Sequence, residues 1–559
     1  MEELQMKRKF NRIIALILCV TLLFGGSMTA VSASEQAPEE DIMQNVGDFF
    51  AKGFYDTLNV VVEALVKVIC TIYPNPATWE KIDNYSREEI GFLEGRDTYQ
   101  TEAEAGNKWS LGYASRTLVP ADIDCGQYNL GRDLMNKYAE GVYDDMRIRV
   151  SAIDDNSGNG IVVFGAIDSL GVTSTDIRAI RKLVLSHFEN TDVEIASINI
   201  MATHSHSALD TQGVSSGFFT KLALAGVYNV FGITASYPGL EKADEFKEHF
   251  INESALAVID AIGDMEEGRL FYSSIDCSSV VHDKRDLISK EDLPETAVLY
   301  FTPDSGSEDT YIADISCHPT SFSASNGLVS SDYIYHLDNY IKAQTGGNLI
   351  MVAGAIGQLS RDIEVDETGL TEWEAKGASA KYLGEAFAKL ILGGDYSCEL
   401  APVLNVKHKD IFIEPENSIL TLACEINLVN NRVFTTGPVY TDPAMATELG
   451  YIEFGNKVGF ALFPGEFYPE TFWGTDITNN TNWDGTEWQY DSLFNSVEGV
   501  DVYCISLAND AIGYVLTDNN FAFMGHIIGE EIADEVLSVG KHTGSFLVGE
   551  YFSLLDTLK

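Results

Sequence analysis

The sequence predicts an α/β fold in which a layered, mixed β-sheet domain is flanked by helices. Short β-rich runs alternate with helical patterns after residue 108, and apolar residues make up 45% of the chain, enough for a large core. The strand-like runs are 146–153, 160–167, 193–202, 297–302, 311–317, 348–352, 457–463 and 501–507. The clearest helical patterns are 174–188, 242–262 and 372–392. Residues 400–440 are more purely β-like, which leaves a separate sheet or subdomain open.

The first 33 residues have the form of an export signal. Four basic residues, the last of them Arg12, precede an apolar run over 13–24, and Val31-Ser32-Ala33 offers a small-x-small cleavage site. The run is too short to cross a bilayer as a helix, which takes about 20 residues. We therefore predict that residues 1–33 are a signal peptide and that the mature protein is secreted, either to the extracellular space or to the cell surface.

Residues 34–107 predict an N-terminal extension that is first acidic and then forms an amphipathic helix. Apolar residues recur at helical spacing between Phe49 and Val68. The polar face lacks the basic residues of a membrane-surface helix, so we expect it to pack against the rest of the protein. The remaining residues, 108–559, have no internal repeat or linker and predict one further domain.

The charge of the chain limits its partners. The net charge is −48, and it becomes −50 once residues 1–33 are removed. Such a surface repels phosphate backbones and anionic lipid head groups, so we expect no nucleic-acid partner. The cysteines after the signal show no CxxC spacing, so they predict neither a zinc ribbon nor a dense disulfide framework, although one or two bridges stay open. The oligomeric state is not predicted.

Residues that can bind a metal follow directly after several apolar strands, at the sheet edge where α/β proteins bind ligands. His204 and His206 lie at i and i+2 and project to one side of an extended segment, as two metal ligands or as two hydrogen-bonded histidines. His318 follows a second strand, although a lone histidine there is often structural. Glu466 follows Pro-Gly, where it could also cap a helix, and Tyr514 could equally be a core aromatic.

Two imidazoles, a carboxylate and an open position are what a catalytic zinc ion needs. His204 and His318 lie 114 residues apart and Glu466 a further 148, so only the fold can bring them together. A third strand runs into the glycine-rich loop 354–362, which is neither a P-loop nor a GxSxG elbow. Glycines there allow the backbone to approach a ligand closely.

These segments resemble the neutral, non-lysosomal ceramidases and their bacterial relatives. The matching blocks occur in the family's order over most of residues 109–525, and they are 201–207, 317–320 with 329–333, 354–362, 463–466 and 509–517. The resemblance implies a ceramidase-like catalytic domain over residues 108–559. Because the chain ends 45 residues after Tyr514, we expect no C-terminal immunoglobulin-like domain.

The resemblance also implies the site and the reaction. It implies Zn²⁺ held by His204, His318, Glu466 and Tyr514, with His206 beside a metal-activated water. The reaction is hydrolysis of the amide bond of ceramide or a related N-acyl lipid, with His206 or Tyr514 carrying a proton to the leaving amine. Two further residues match family positions in the active site: Ser360, in a loop that contacts substrate, and Arg285, in the weakest of the matches.

Two departures from the family pattern affect the expected substrate. The family's Asp-x-Ser-Pro reads Gln358-Leu-Ser-Arg361, and the glycine and proline after the histidine pair are Ala208 and Leu209. Both lie at the expected substrate mouth, which leaves two alternatives. The chain could be a zinc hydrolase for a different amide or ester, or a non-catalytic binding protein on this scaffold. The apolar segment 218–240 predicts either a lipid-facing lid or a buried helix. A transient contact with a membrane surface stays open.

Overall fold

The computed structural model describes residues 80–558 except for ten short internal gaps. The gaps are 88–90, 132–136, 232–236, 286–287, 323–326, 367, 426–427, 436–442, 475–486 and 522–532. The predicted signal peptide and the amphipathic helix between Phe49 and Val68 lie outside the described residues.

The larger sheet has nine strands in the described part of the chain. It is antiparallel in the middle and parallel at both ends, where Ile161–Ile167 pairs with Ile195–Ala202 and Thr310–Ile315 pairs with Asn348–Ala353. Its order is Asn348–Ala353, Thr310–Ile315, Thr296–Pro303, Glu266–Ile275, Trp109–Thr117, Arg147–Asp154, Ile161–Ile167 and Ile195–Ala202, with Cys398–Glu399 paired to Glu266–Ile275.

The two ends of this sheet approach each other. Ala202, at the end of the last strand, packs with Ala353, at the end of the first, in a small apolar cluster that also contains Ile356 and Leu507. The strand Ile195–Ala202, which precedes His204, and the strand Asn348–Ala353, which precedes the glycine-rich loop, are therefore neighbours. They lie at opposite ends of the strand order. This closure brings the predicted site segments into one region.

The second sheet has six strands among the described residues and also mixes parallel and antiparallel pairs. Its order is Glu80–Lys81, Val433–Thr435, Pro443–Phe454, Val458–Leu462 and Asp501–Ile505, with Leu404–Ile413 paired along Pro443–Phe454. Residues from the predicted extension thus form an edge strand. Arg96 is buried and donates to the Asp155 carboxylate at 3.0 Å, so this part of the chain is integral to the domain.

Helices cover the sheets. The predicted helices are confirmed as Ser174–Phe188, Glu241–Gly263 and Glu372–Leu392. The last of these packs against Tyr333–Thr345 so closely that a side chain at Gly384 would meet the carbonyl oxygen of Tyr333. The other helices are Phe218–Phe231, Ser418–Glu425, Pro469–Trp473, Ala533–Val536 and Thr543–Leu555, and the short 3-10 helices are Ile82–Asn84, Ile123–Cys125, Lys290–Asp292, Leu493–Asn495, Asp518–Asn520 and Asp556–Leu558.

Each of the eight predicted strands is present, and the predicted mixed α/β fold is confirmed. The remaining short strands are Gly141–Val142, Leu328–Val329, Val281–Asp283, Leu359–Arg361, Glu466–Phe467 and Tyr514–Val515. Within the described ranges, no helix is long and apolar enough to span a bilayer. None of the six cysteines that the structure describes forms a disulfide bond.

A buried ion pair joins the two sheets. Arg181, on the helix Ser174–Phe188, donates to the carbonyl oxygen of Ile198 in the larger sheet and binds both oxygens of Glu448 in the second, at 2.9 and 2.6 Å. Burial alone would raise the pKa of Glu448, but the Arg181 charge outweighs it and the pKa falls to about 2. The carboxylate is therefore ionised in the folded protein at neutral pH.

We predict that Glu448→Gln lowers the free energy of unfolding by about 3–5 kcal/mol, because the buried guanidinium loses its counter-charge. The folded pKa lies below the unfolded value of about 4.3, so this contribution is present above pH 4 and is lost as the pH falls towards 2. Urea titrations across this pH range measure it. Glu372→Gln, at an exposed helix position, is the control and should change stability by less than about 0.5 kcal/mol. Equal effects of the two substitutions would contradict the prediction.

Candidate metal centre

His204 and His318 are each held by a backbone carbonyl. His204 follows the strand Ile195–Ala202 and has φ +67°, a backbone conformation that residues other than glycine adopt rarely. Its Nδ1 lies 2.7 Å from the carbonyl oxygen of Leu170, and Nδ1 of His318 lies 3.0 Å from that of Leu359. Because each Nδ1–H donates to a carbonyl, each Nε2 keeps its lone pair for a cation.

The three histidines of the predicted site converge. The ring centroid of His204 lies 4.7 Å from that of His206 and 4.8 Å from that of His318. One nitrogen from each ring lies within 4.8 Å of the others, so the three could hold one metal ion. The backbone N–H of His206 donates to the carbonyl oxygen of Pro319 and so joins the two histidine loops.

Glu466 completes a set of three donors with His204 and His318. Its Oε2 lies 2.9 Å from Nε2 of His204 and 3.4 Å from Nε2 of His318. Burial would raise the pKa of Glu466, but the two imidazoles outweigh that effect and lower it to about 2, while burial lowers the pKa of His318. An ionised carboxylate beside a neutral imidazole is the protonation state that metal ligation requires.

The donor atoms fit a zinc ion. Nε2 of His204 and Oε2 of Glu466 are buried and face each other, yet neither makes a hydrogen bond of normal geometry with the described residues. Two imidazole nitrogens and one carboxylate oxygen are a common ligand set for catalytic zinc. A cation between these atoms would satisfy both and remove the cost of burying them unpaired.

Tyr514 lies beside Glu466 on the neighbouring strand. The strands Glu466–Phe467 and Tyr514–Val515 are parallel, with Tyr514 directly opposite Glu466. The half-buried Tyr514 ring also packs against Tyr468, with 6.1 Å between centroids. The structure therefore brings the fourth predicted ligand next to Glu466, and its role as a ligand stays a prediction.

Ser360 and Arg285 lie on two paired segments next to His318. Ser360 is buried in the strand Leu359–Arg361, opposite His282, and it directly follows the residue whose carbonyl holds His318. Arg285 lies just beyond the partner strand. Its guanidinium forms ion pairs with Asp534 at 3.0 Å and Glu535 at 3.3 Å and covers the ring of Tyr468. No pattern in the sequence indicates these two carboxylate partners.

Asn509 is a further residue whose role sequence reasoning missed. Its side-chain oxygen accepts from the N–H of Ile200 at 3.0 Å, and its amide donates to Asn199. It therefore attaches the loop before Tyr514 to the strand that leads to His204. The only sequence signal was its position in the block 509–517, because an asparagine alone does not reveal a partner more than 300 residues away.

Comparison with solved structures gives the chain its fold family. A neutral ceramidase from Pseudomonas aeruginosa matches with a TM-score of 0.60 at 13% identity, over 81% of this chain and 74% of that one. The fold is that of the neutral ceramidases. A ceramidase structure described as complexed with C2 matches with a TM-score of 0.56, also at 13% identity, over 81% of this chain and 75% of that one. No protein-family model and no curated protein matches the sequence.

The predicted ceramidase-like domain is thus confirmed at the level of the fold. At 13% identity the likeness concerns the arrangement of the backbone, and the chemistry of this chain rests on its own residues. The three donors His204, His318 and Glu466 lie together on that ceramidase fold.

We predict that the metal-stripped protein binds one Zn²⁺ and that binding raises its melting temperature. At a free zinc concentration 100 times the dissociation constant, the free energy of unfolding should rise by about 2.7 kcal/mol. Glu466→Gln should weaken zinc binding more than the 10–100-fold or so expected for loss of a residue outside the ligand set. Calorimetry and metal analysis measure this, with the exposed His187→Ala and Glu372→Gln as controls. Unchanged zinc affinity in Glu466→Gln would show that the metal, if bound, lies elsewhere.

Proposed function

We propose that this chain is a secreted, zinc-dependent amidohydrolase of the neutral ceramidase type, which cleaves the amide bond of ceramide or a related N-acyl lipid. The observation that carries the proposal is the convergence of His204, His318 and Glu466, with buried donor atoms facing one another, on a neutral ceramidase fold. Secretion rests on the signal-like residues 1–33.

The zinc ion and the protein residues would have different roles in the reaction. Zinc, when bound, lowers the pKa of water towards about 7 and polarises a carbonyl group. His204, His318 and Glu466 would hold the ion, and Tyr514 is the proposed fourth ligand. The carbonyls of Leu170 and Leu359 fix both imidazoles in the tautomer that leaves Nε2 available, so the ligands are oriented before the ion binds.

His206 is the proposed base for the attacking water. Its ring lies 4.7 Å from that of His204 and 5.7 Å from that of His318, and it is the least buried of the three histidines. A histidine in this position takes a proton from water and returns it to the leaving amine, which completes cleavage of the amide. Tyr514 is the second candidate for this proton transfer, because it lies opposite Glu466.

Ser360 and Arg285 are proposed to position the substrate. Ser360 is a buried hydroxyl one residue beyond the carbonyl that holds His318, so it lies at the edge of the centre. Arg285 is fixed by Asp534, Glu535 and Tyr468 and cannot turn freely towards solvent. Residues held in this way orient a substrate group without reorganisation during the reaction.

The surroundings of the centre favour an uncharged lipid. The helix Phe218–Phe231 follows the histidine pair, and its Phe231 is 72% exposed. An exposed aromatic side chain on this helix suits a transient contact with a lipid surface. The net charge of −48 opposes anionic head groups, so ceramide, which is neutral, fits better than an acidic lipid.

The function is tested by incubating the zinc-loaded protein with a fluorescent ceramide. We expect release of the labelled fatty acid, loss of turnover after chelation, and its return when zinc is added. His204→Ala and His318→Ala should lose both zinc and activity, while the exposed His187→Ala retains both. Turnover by a metal-free protein would contradict the proposal. A panel of N-acyl and O-acyl substrates separates ceramide from other amides and esters, and zinc content without hydrolysis of any member would indicate a binding protein.

The role of His206 is separable from that of the ligands. We predict that His206→Ala retains zinc with near-normal affinity but loses about 10²–10⁴-fold in kcat, which is the usual contribution of a general base. Metal analysis and turnover are measured on the same preparation. Loss of zinc together with activity would instead make His206 a ligand, in keeping with its place in the cluster of three histidines.

A further inference from the structure

Residues 328–333, named here the bracket segment, are hydrogen-bonded to both histidine loops of the metal centre. The segment comprises the short strand Leu328–Val329, a three-residue connection and the first residue of the helix Tyr333–Thr345. Its last four residues are fully buried, and they are Ser330, Ser331, Asp332 and Tyr333. None of them has a part in the proposed reaction so far.

The bracket segment holds the loop of His206 on both sides of that residue. The N–H of Ser330 donates to the carbonyl oxygen of Ser207 at 2.9 Å, and the hydroxyl of Ser205 donates to that of Ser330 at 2.8 Å. The hydroxyl of Ser207 donates to the carbonyl oxygen of Leu328 at 2.7 Å. Ser205 and Ser207 are buried, so removing either hydroxyl would leave a carbonyl oxygen short of one donor. The residues before and after His206 are therefore fixed by the same segment.

The loop of His318 is held by the same segment, again on both sides of the histidine. The hydroxyl of Tyr333 donates at 2.8 Å to the carbonyl oxygen of Cys317, the residue directly before His318. The carboxylate of Asp332 accepts from the N–H of Phe322 at 2.7 Å. Asp332 has φ +58°, a backbone conformation that persists only where the surrounding contacts fix it. The two histidine loops thus share one support.

Two carboxylates attach the bracket segment to the rest of the domain. Asp144 accepts from the hydroxyl of Ser330 at 2.7 Å and from the N–H of Ser331 at 2.6 Å. Asp168 accepts from the hydroxyl of Ser331 at 2.9 Å, and it forms a buried ion pair with Arg149 of the larger sheet at 2.8 Å. None of these bonds uses a donor atom of the metal centre, so the attachment does not depend on a bound ion.

We propose that Ser205 and Tyr333 are positioning residues of the hydrolase, Ser205 for His206 and Tyr333 for His318. The inference rests on the proposed function, in which His206 is the base and His318 is a zinc ligand. The ring centroids of the two histidines lie 5.7 Å apart, and the bracket segment is hydrogen-bonded beside each of them. A displacement of about 1 Å can reduce a rate by about 100-fold, so the bonds that fix these loops affect the reaction.

The substitution Ser205→Ala tests the first assignment. It should lower kcat by about 10–100-fold with zinc affinity unchanged, because His206 is the base and not a ligand. The imidazole NMR signals of His206 should also shift in the zinc-loaded variant, and this measurement does not require turnover. Ser115→Ala is the control, because its hydroxyl donates to the carbonyl oxygen of Ile148 at 3.1 Å on a strand without site residues. It should leave both kcat and the His206 signals unchanged.

The substitution Tyr333→Phe tests the second assignment and keeps the buried ring in place. It should weaken zinc binding by about 10–100-fold, as expected for a group that supports a ligand from outside the ligand set. Calorimetry on the metal-stripped protein measures this affinity. Tyr396→Phe is the matched control, because it removes a hydroxyl that also donates to a backbone carbonyl, that of Ile391, at 2.8 Å. Its zinc affinity should equal that of the wild type.

Three results would overturn the proposal. They are unchanged kcat or unchanged His206 signals in Ser205→Ala, loss of zinc from that variant, and equal zinc affinity in Tyr333→Phe and Tyr396→Phe. A wild-type protein that binds zinc but cleaves no ceramide would refute the proposed function instead. In that case the His206 signals and the two zinc affinities alone decide whether Ser205 and Tyr333 hold the histidines.

Discussion

The turn from Ser506 to Asn509 is the constraint on which the metal centre depends. The N–H of Ser506 donates to Ala353, that of Leu507 to Gly465, and that of Asn509 to Ile200. One four-residue segment therefore holds three others: the strand Asn348–Ala353, the residues before Glu466, and the strand Ile195–Ala202 that precedes His204. Leu507 and Asn509 have φ of 51° and 61°, conformations that persist because these contacts fix the backbone on three sides.

The local pattern of the sequence was sufficient for the strands and for the positions of the metal donors. The runs ending before His204, His318 and Glu466 are rich in apolar residues because both of their faces are buried, which makes them visible without knowledge of the fold. The convergence of these ends could not be derived, because it depends on closure of the sheet through Ala202 and Ala353. The resemblance to the ceramidases supplied the missing step, and the fold agrees with it.

Other features had no local signal at all. Glu80–Lys81 forms a strand only because Val433–Thr435 presents an open edge more than 350 residues later. The ion pairs of Arg285 join residues about 250 positions apart, and the backbone carbonyls that orient the histidines carry no side-chain identity. Gln358 departs from the family pattern, and its amide donates to Asp283, a partner 75 residues away that the sequence does not reveal.

The donors of the histidine centre are oriented by the backbone rather than by an ion. The carbonyl oxygens of Leu170 and Leu359 hold Nδ1 of His204 and His318, and the N–H of His206 donates to the carbonyl oxygen of Pro319. Glu466 is buried against these imidazoles, so the folded protein without a cation bears the cost of facing polar atoms that are not fully satisfied. A cation bound between them would remove that cost, which is why binding of the ion is expected to stabilise the fold.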